Sequence, residues 1–302
     1  MAKFKFLVMS LIYQIIFNIV FTSALYILIA LSFSIIYYAV HFFHMAHAVS
    51  ITAAAYLVYT MVVMWNLPLL IAIPFSIVIV TLLMLGINEW VYKLLWRKNS
   101  LSWQLMIASL GLYVIFQNVV SMLWGDGTLS FRTWEEKTAH EFYGVCITDV
   151  QLITLIVCAV LLLLIWFFME KTNSGKQIKA VSSDDELSSI LGLNRNRAIM
   201  WSFAIGTTLA ACAGILIAAD TDMTPTMGFN WLLYAVVAMI IGGMGKMRYL
   251  VLGALLLATA QHLAAFFLDS KWMNATAYII LIVFLLLRPT GFSGKLLRKA
   301  NI

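Results

Sequence analysis

Charge is what this sequence has least of. Of its 302 residues, 11% are Asp, Glu, Lys or Arg and 63% are hydrophobic. A soluble globular domain is nearer a quarter charged and about half apolar, so a wholly soluble fold is excluded. Cysteine is scarce too. Cys146, Cys158 and Cys212 form no close-spaced motif, and the last two lie in apolar runs; this argues against a disulfide framework or a zinc site. The phosphate-binding pattern G-x-x-x-x-G-K-[ST] is absent. Gly243-Met244-Gly245-Lys246 and Gly294-Lys295 lack its spacing and its Ser or Thr, so any ATP hydrolysis belongs to a partner chain. No acid pair, nucleophile–base arrangement or Cys/His cluster points to catalysis, and the sequence implies neither an enzyme nor a cofactor. His41, His44 and His47 recur every third residue. Without carboxylates beside them they read as interfacial or buried polar residues rather than metal ligands.

What is present is apolar sequence gathered into runs of about 17–25 residues, the length of a helix crossing a bilayer. Backbone in lipid must be satisfied by helices or a closed barrel. Barrel strands would alternate, whereas these runs are continuous, so the expected fold is all-α: a polytopic bundle of about eight or nine spans. The first run, 6–40, is too long for one straight crossing and reads as a short interfacial or re-entrant helix leading into a span over 19–40. Lys3 and Lys5 before it resemble a signal peptide, but Thr22-Ser23-Ala24 is a poor cleavage site, and an uncleaved segment is expected. Further spans are expected over 49–65, 69–92, 102–124, 152–169, 198–219, 229–241, 250–268 and 273–287, with a turn at Asn66-Leu67-Pro68.

The formal charge of +6 sits at the ends of these runs. That is a topogenic use of Lys and Arg and not a nucleic-acid surface. The basic segments near 93–98, 171–197, 246–248 and beyond 288 should be cytoplasmic. The segments near 66, 125–151, 220–228 and 269–272 should lie outside, and the two sets alternate along the chain. A single membrane domain over 1–302 is expected, with a long external loop at about 125–151 and a cytoplasmic loop at about 170–197.

Within the cytoplasmic loop, Ser183-Asp184-Asp185-Glu186 reads as an S-x-x-E capping box, with Asp184 and Asp185 favoured by the helix dipole. Leu187, Ile190 and Leu191 follow at helical spacing, and Gly192 is a natural stop. From these residues alone, two readings of the short helix stay open. It packs on its own membrane domain or the lipid surface, or it docks into another protein. Gln117 and Asn118 lie inside a span, where an amide either bonds to a neighbouring helix or faces a pathway. The stretch 224–229, containing Thr224, Thr226 and Gly228, breaks one helix and starts another; 242–245 breaks again. Interrupted helices line paths in transporters, and a tight packed turn explains them equally well. Ala210, Ala211, Ala213, Gly214, Gly253 and Ala254 suit close helix packing. Ionisable groups are almost absent from the spans, which argues for energy supplied from elsewhere.

Four stretches carry a resemblance to a known family. His44-Met45-Ala46-His47 resembles N-F-A-H-G-E, and 107–111 followed by Gln117-Asn118 resembles A-T-I-G-L…L-Q-N. The stretch 175–197 is similar to G-x-A-x-R-A…A-x-L-x-G-I-x-V-x-R. Finally 224–229, 241–245 and Arg288-Pro289-Thr290-Gly291-Phe292 resemble P-x-x-G-F, I-G-G-x-G and R-P-x-G-L. In this order they are similar to the membrane permease subunits of the branched-chain amino acid ABC importers. The resemblance implies that the loop around Ser183–Gly192 contacts separate ATPase subunits. It also implies a periplasmic or extracellular substrate-binding protein, a second permease subunit (related or identical), and a multi-pass location in a bacterial inner membrane. His47, Gln117, Asn118, Thr224, Thr226 and Gly228 are the pathway candidates. The chain departs from the pattern where His44 replaces Asn, Ala48 replaces Gly, Val49 replaces the acid, Lys246 follows Gly245, and Ala254-Leu255 replaces a paired glycine. These departures leave the substrate open between branched-chain amino acids and urea or short amides. A secondary transporter or channel, or a non-transporting scaffold, would use the same spans without a nucleotide partner.

Overall fold

The computed structural model describes residues 2–132, 139–142, 144–243, 247–288 and 291–292. Within them seven helices are long and apolar enough to cross a membrane: Met9–Val40, His47–Met64, Leu69–Arg97, Ser102–Trp124, Asp149–Lys171, Arg195–Asp220 and Tyr249–Phe267. Two shorter apolar helices, Met227–Gly242 and Trp272–Leu287, bring the apolar helices to the nine runs read from hydropathy. The protein is an all-α polytopic membrane bundle.

In chain order the helices are α1 (Ala2–Val40), α2 (His47–Tyr59), α3 (Leu69–Ile87), α4 (Lys93–Arg97), α5 (Ser102–Trp124), α6 (Asp149–Lys171), α7 (Asn173–Ser183), α8 (Asp185–Ile190), α9 (Arg195–Asp220), α10 (Met227–Gly242), α11 (Met247–Phe267) and α12 (Trp272–Leu287). Two π-turns, Thr60–Met64 and Asn88–Tyr92, extend α2 and α3. An antiparallel hairpin of β1 (Ala139–Phe142) and β2 (Val145–Thr148) stands in the segment expected to be a long external loop.

The first run corrects its sequence reading. α1 is one uninterrupted helix of 39 residues, about 58 Å at 1.5 Å per residue. Its length is not resolved by a break. Most of the side chains between Met9 and Val20 are exposed or half-buried, and burial becomes continuous from Leu25 onward.

Two compact units partition the chain. The first holds residues 1–30, 134–159 and 233–302. In it Tyr26 donates to Gln261 Oε1 at 2.7 Å, and Gln261 Nε2 donates to the Met273 carbonyl at 3.1 Å, so one buried amide ties α1, α11 and α12 together. Gln14 pairs with both backbone groups of Cys146 on β2, which fixes the early part of α1 against the hairpin. Near the chain's end the Phe292 amide donates to the Ile241 carbonyl at 3.0 Å and the Phe292 ring packs on Phe284. Two motif stretches far apart in sequence, 241–243 and 291–292, therefore meet.

The second unit holds residues 31–133 and 160–232. Its centre is α2 against α9. Ala210, Ala211, Ala213 and Gly214 are buried there, and a Cβ on Gly214 would overlap the Ile51 carbonyl oxygen. Small residues permit this close approach, where lipid gives no hydrophobic drive for helix association. The unit's loops gather at two ends. Trp124 donates to Thr60 Oγ1 at 2.9 Å, Leu129 bridges Met223, and Arg132 bonds the Asp220 carbonyl and the Asp222 carboxylate. At the other end the Arg195 guanidinium lies 5.7 Å over the Trp96 ring. These are the two groups into which the basic residues sorted the same loops.

Candidate functional site

Two interrupted helices converge on the first turns of α2. The first interruption follows α1. His41 takes a left-handed φ of +56° and its amide donates to the Tyr37 carbonyl at 2.8 Å, an αL cap that ends the helix. Residues 41–46 then run without regular structure until α2 begins at His47. Free backbone in this stretch is caught by Ser109 of α5. Its hydroxyl accepts from the Met45 amide at 3.1 Å and lies 3.2 Å from the Phe43 carbonyl oxygen. The second interruption is 221–226. Met223 and Pro225 are buried in it, and α10 starts at Met227.

α10 begins beside α2 and not at the end of the unit marked by Trp124. The Gly228 amide donates to Thr52 Oγ1 at 3.1 Å, and Phe229 stacks on Tyr113 of α5 with ring centroids 4.7 Å apart. A side chain at 228 would collide with the Ala48 carbonyl oxygen and with Thr52, so only glycine lets α10 enter so close. The geometry belongs to a helix that starts within the bundle.

Above the break sit two fully buried imidazoles. His47 Nε2 is hydrogen-bonded to Ser32 Oγ at 2.9 Å, and His44 Nδ1 to the Tyr92 hydroxyl at 3.0 Å. Their rings lie 6.0 Å apart. His44 Nε2 and His47 Nδ1 have no hydrogen-bond partner. Among the described residues the buried polar side chains are hydroxyls, amides and these imidazoles, with no carboxylate, Lys or Arg.

The predicted pathway residues divide. His47, Thr224 and Gly228 lie at or beside this convergence, and Thr226 is exposed on the turn into α10. Gln117 is half-buried and follows Ser109 and Tyr113 along the packed stripe of α5. Asn118 faces outward. Neither amide bonds to another helix: Gln117 donates to Ser121 and Asn118 to the Val114 carbonyl, both within α5. Sequence reasoning missed Ser32, Tyr92 and Ser109. Tyr92 and Ser109 looked like unremarkable members of apolar runs, and only their contacts mark them.

The segment 172–194 holds the residues expected to couple to a partner. α7 buries Ile178 and Val181 against Ala198 of α9, with Phe168, Met169 and Ile205 around them. The capping box is one residue out of place. Ser183 is the last residue of α7, and Asp184 is the N-cap of α8, accepting from the Leu187 amide at 3.0 Å. The anchored stripe of α7 carries that helix as far as Ser183, so the next side chain takes the cap. Asp185 and Glu186 form the first turn of α8. Ser188 is buried, whereas Leu187, Ile190 and Leu191 are 54%, 80% and 70% exposed. Gly192 ends the helix at φ +77°, and Asn194 caps α9 through the Arg197 amide. Thus Ser188 faces the chain, and Leu187, Ile190 and Leu191 face away from it.

Comparison with known proteins now decides the family. The sequence profile described as branched-chain amino acid transport system / permease component matches residues 15–287. The chain belongs to this family. Over 295 residues it is 27% identical to the high-affinity branched-chain amino acid transport system permease protein LivH of Escherichia coli (strain K12), covering 93% of this chain and 95% of the relative. It is 26% identical over 296 residues to the LivH of Salmonella typhimurium, with the same coverage of both chains. The BraD permease of Pseudomonas aeruginosa is 26% identical over 286 residues, covering 89% of this chain and 92% of BraD. The protein is accordingly a transporter permease, not an enzyme.

Proposed function

We propose that this permease forms the membrane path of an ABC importer for branched-chain amino acids and is driven by a separate ATPase that docks on α8. The observation that carries the reading is the apolar face of Leu187, Ile190 and Leu191. It stands clear of the chain's own fold on a helix whose ends are capped and whose base is anchored through α7 on α9. Three large exposed apolar side chains together on and beside one short helix are the kind of patch that marks an interaction surface. The substrate class is supported by the names of the relatives.

On this reading the ends near Trp96 and Arg195 face the cytoplasm of a bacterial inner membrane, and the end near Trp124 and Asp222 faces outward. A substrate-binding protein delivers cargo to the outward end, and a second permease subunit completes the path. The residues around His47, Gln117, Thr224 and Gly228 line the path on this chain. Asp184 caps the docking helix, and Leu187, Ile190 and Leu191 receive the partner.

Co-purification tests it. Solubilised wild-type chain should retain a P-loop ATPase, and the Leu187→Asp/Ile190→Asp variant should lose it together with ATP-driven uptake. A wild-type chain that retains no ATPase, or a double variant that transports normally, would contradict the proposal.

A further inference from the structure

A continuous set of side chains runs from the end of α8 to the α1–α2 break. Arg195, which opens α9 three residues after Gly192, lies over Trp96 at 5.7 Å. Trp96 packs on Tyr92 with ring centroids 6.4 Å apart, and Phe42 touches both rings. The Tyr92 hydroxyl is bonded to His44 Nδ1 at 3.0 Å, its ring edge-on to the imidazole. His44 neighbours His47 at 6.0 Å, where α2 begins. The bland reading is a well-packed aromatic core.

Three features distinguish this joint from ordinary packing. Tyr92 is the last residue of a π-turn, in which the Lys93 amide reaches back to the Asn88 carbonyl. Such turns hold one residue more than the helix needs and recur at functional sites. Moving the turn along the helix re-aims the residues it passes by about 100°, the rotation per residue of an α-helix. Buried polar atoms without partners cluster on both sides of the bond: Asn88 Oδ1 in the π-turn, and His44 Nε2 and His47 Nδ1 at the break. Unsatisfied buried groups of this kind are costly and mark an arrangement that a second one could relieve. Finally, His44 stands on irregular backbone, which can shift without unwinding a helix.

We propose that the Tyr92–His44 hydrogen bond is the joint through which movement at the α8–α9 corner reaches the interrupted helix at the centre of the path. Tyr92 and His44 act as positioning residues: the π-turn carries the displacement, and the bond passes it to the 41–46 segment. This inference rests on the proposal that the ATPase engages α8.

The test uses the permease complex purified with its co-purifying ATPase, reconstituted with the binding protein. Hydrolysis and uptake are measured together. Tyr92→Phe keeps the ring and removes only the hydroxyl; the orphaned His44 Nδ1 should lower the Tm, while ATPase association, measured on the protein that remains folded, should be unchanged. Substrate molecules moved per ATP should fall several-fold. Arg195→Gln, at the other end of the chain of contacts, should lower the same ratio. The double variant should be no worse than the more affected single one, because both break one linkage. The proposal is overturned if Tyr92→Phe leaves the ratio intact while the ATPase stays bound, or if the two effects multiply. If no ATPase co-purifies with the wild-type chain, the docking reading fails and this inference fails with it.

Discussion

The α8 helix and the 41–52 stretch are both short interruptions of a long-helix protein, and they are built in opposite ways. α8 satisfies its backbone through Asp184 and the Gly192 turn, then exposes three apolar side chains. The 41–52 stretch buries most of its side chains and leaves two imidazole nitrogens unmatched inside. Capped backbone with apolar exposure describes a rigid surface waiting to be covered. Buried polar atoms with unfinished bonding describe a centre that has more than one arrangement. Under the proposed function, the first would receive the partner's force and the second would respond to it.

The comparison can be broken hardest at Gly228. A Gly228→Val side chain meets the Ala48 carbonyl and Thr52, and overpacking of this kind costs about 1–3 kcal/mol. Thermal unfolding in detergent should show a clear fall in Tm, and uptake should be lost even in protein that remains folded. Retained uptake would remove the close approach of α10 and α2 from the account.

Leu187→Asp/Ile190→Asp should behave in reverse. Both side chains are exposed, so the isolated permease should keep its stability within about 0.5 kcal/mol. Affinity for the ATPase should drop by about 2–4 kcal/mol if these residues are interface anchors. A loss of Tm without a loss of binding would show that the face packs on its own chain or on lipid.

Much of this contrast was legible in the sequence, for physical reasons that differ by region. Apolar run length is set by bilayer thickness, so the nine apolar helices fall close to where hydropathy placed them. The short helix α8 was legible because cap, spacing and stop are local chemistry. Its exact cap was not, since Ser183, Asp184 and Asp185 are all competent caps and the choice depends on how far α7 is held on α9. The continuity of α1 was hidden, because length alone suggested a break that no Gly or Pro supplies. The hairpin at 139–148 was hidden by a short polar segment that reads as loop. The Tyr92–His44 pair spans 48 positions, and no periodicity reports a contact of that kind.

A milder change sharpens the docking side. Asp184→Ala removes the α8 cap, worth about 1 kcal/mol. ATPase binding should weaken several-fold without being abolished, measured by titration of the solubilised permease. An effect as large as that of the double aspartate variant would mean that Asp184 touches the partner directly.

The smallest effects separate the two amides of α5. Gln117 lies on the packed stripe with Tyr113, and Asn118 faces away from it. Gln117→Leu should lower uptake a few-fold, and Asn118→Leu should change it less in the same vesicles. The opposite order would place the path on the outer face of α5.

The most direct test of the central claim is photocrosslinking from position 190. A benzophenone amino acid in place of Ile190 should form an adduct with a P-loop ATPase in native membranes. The same probe in place of Met122, equally exposed but on a spanning helix at the other end of the unit, should not. An ATPase adduct at 190 alone is the predicted result. No ATPase adduct at 190, with ATP-driven uptake intact, would contradict the account.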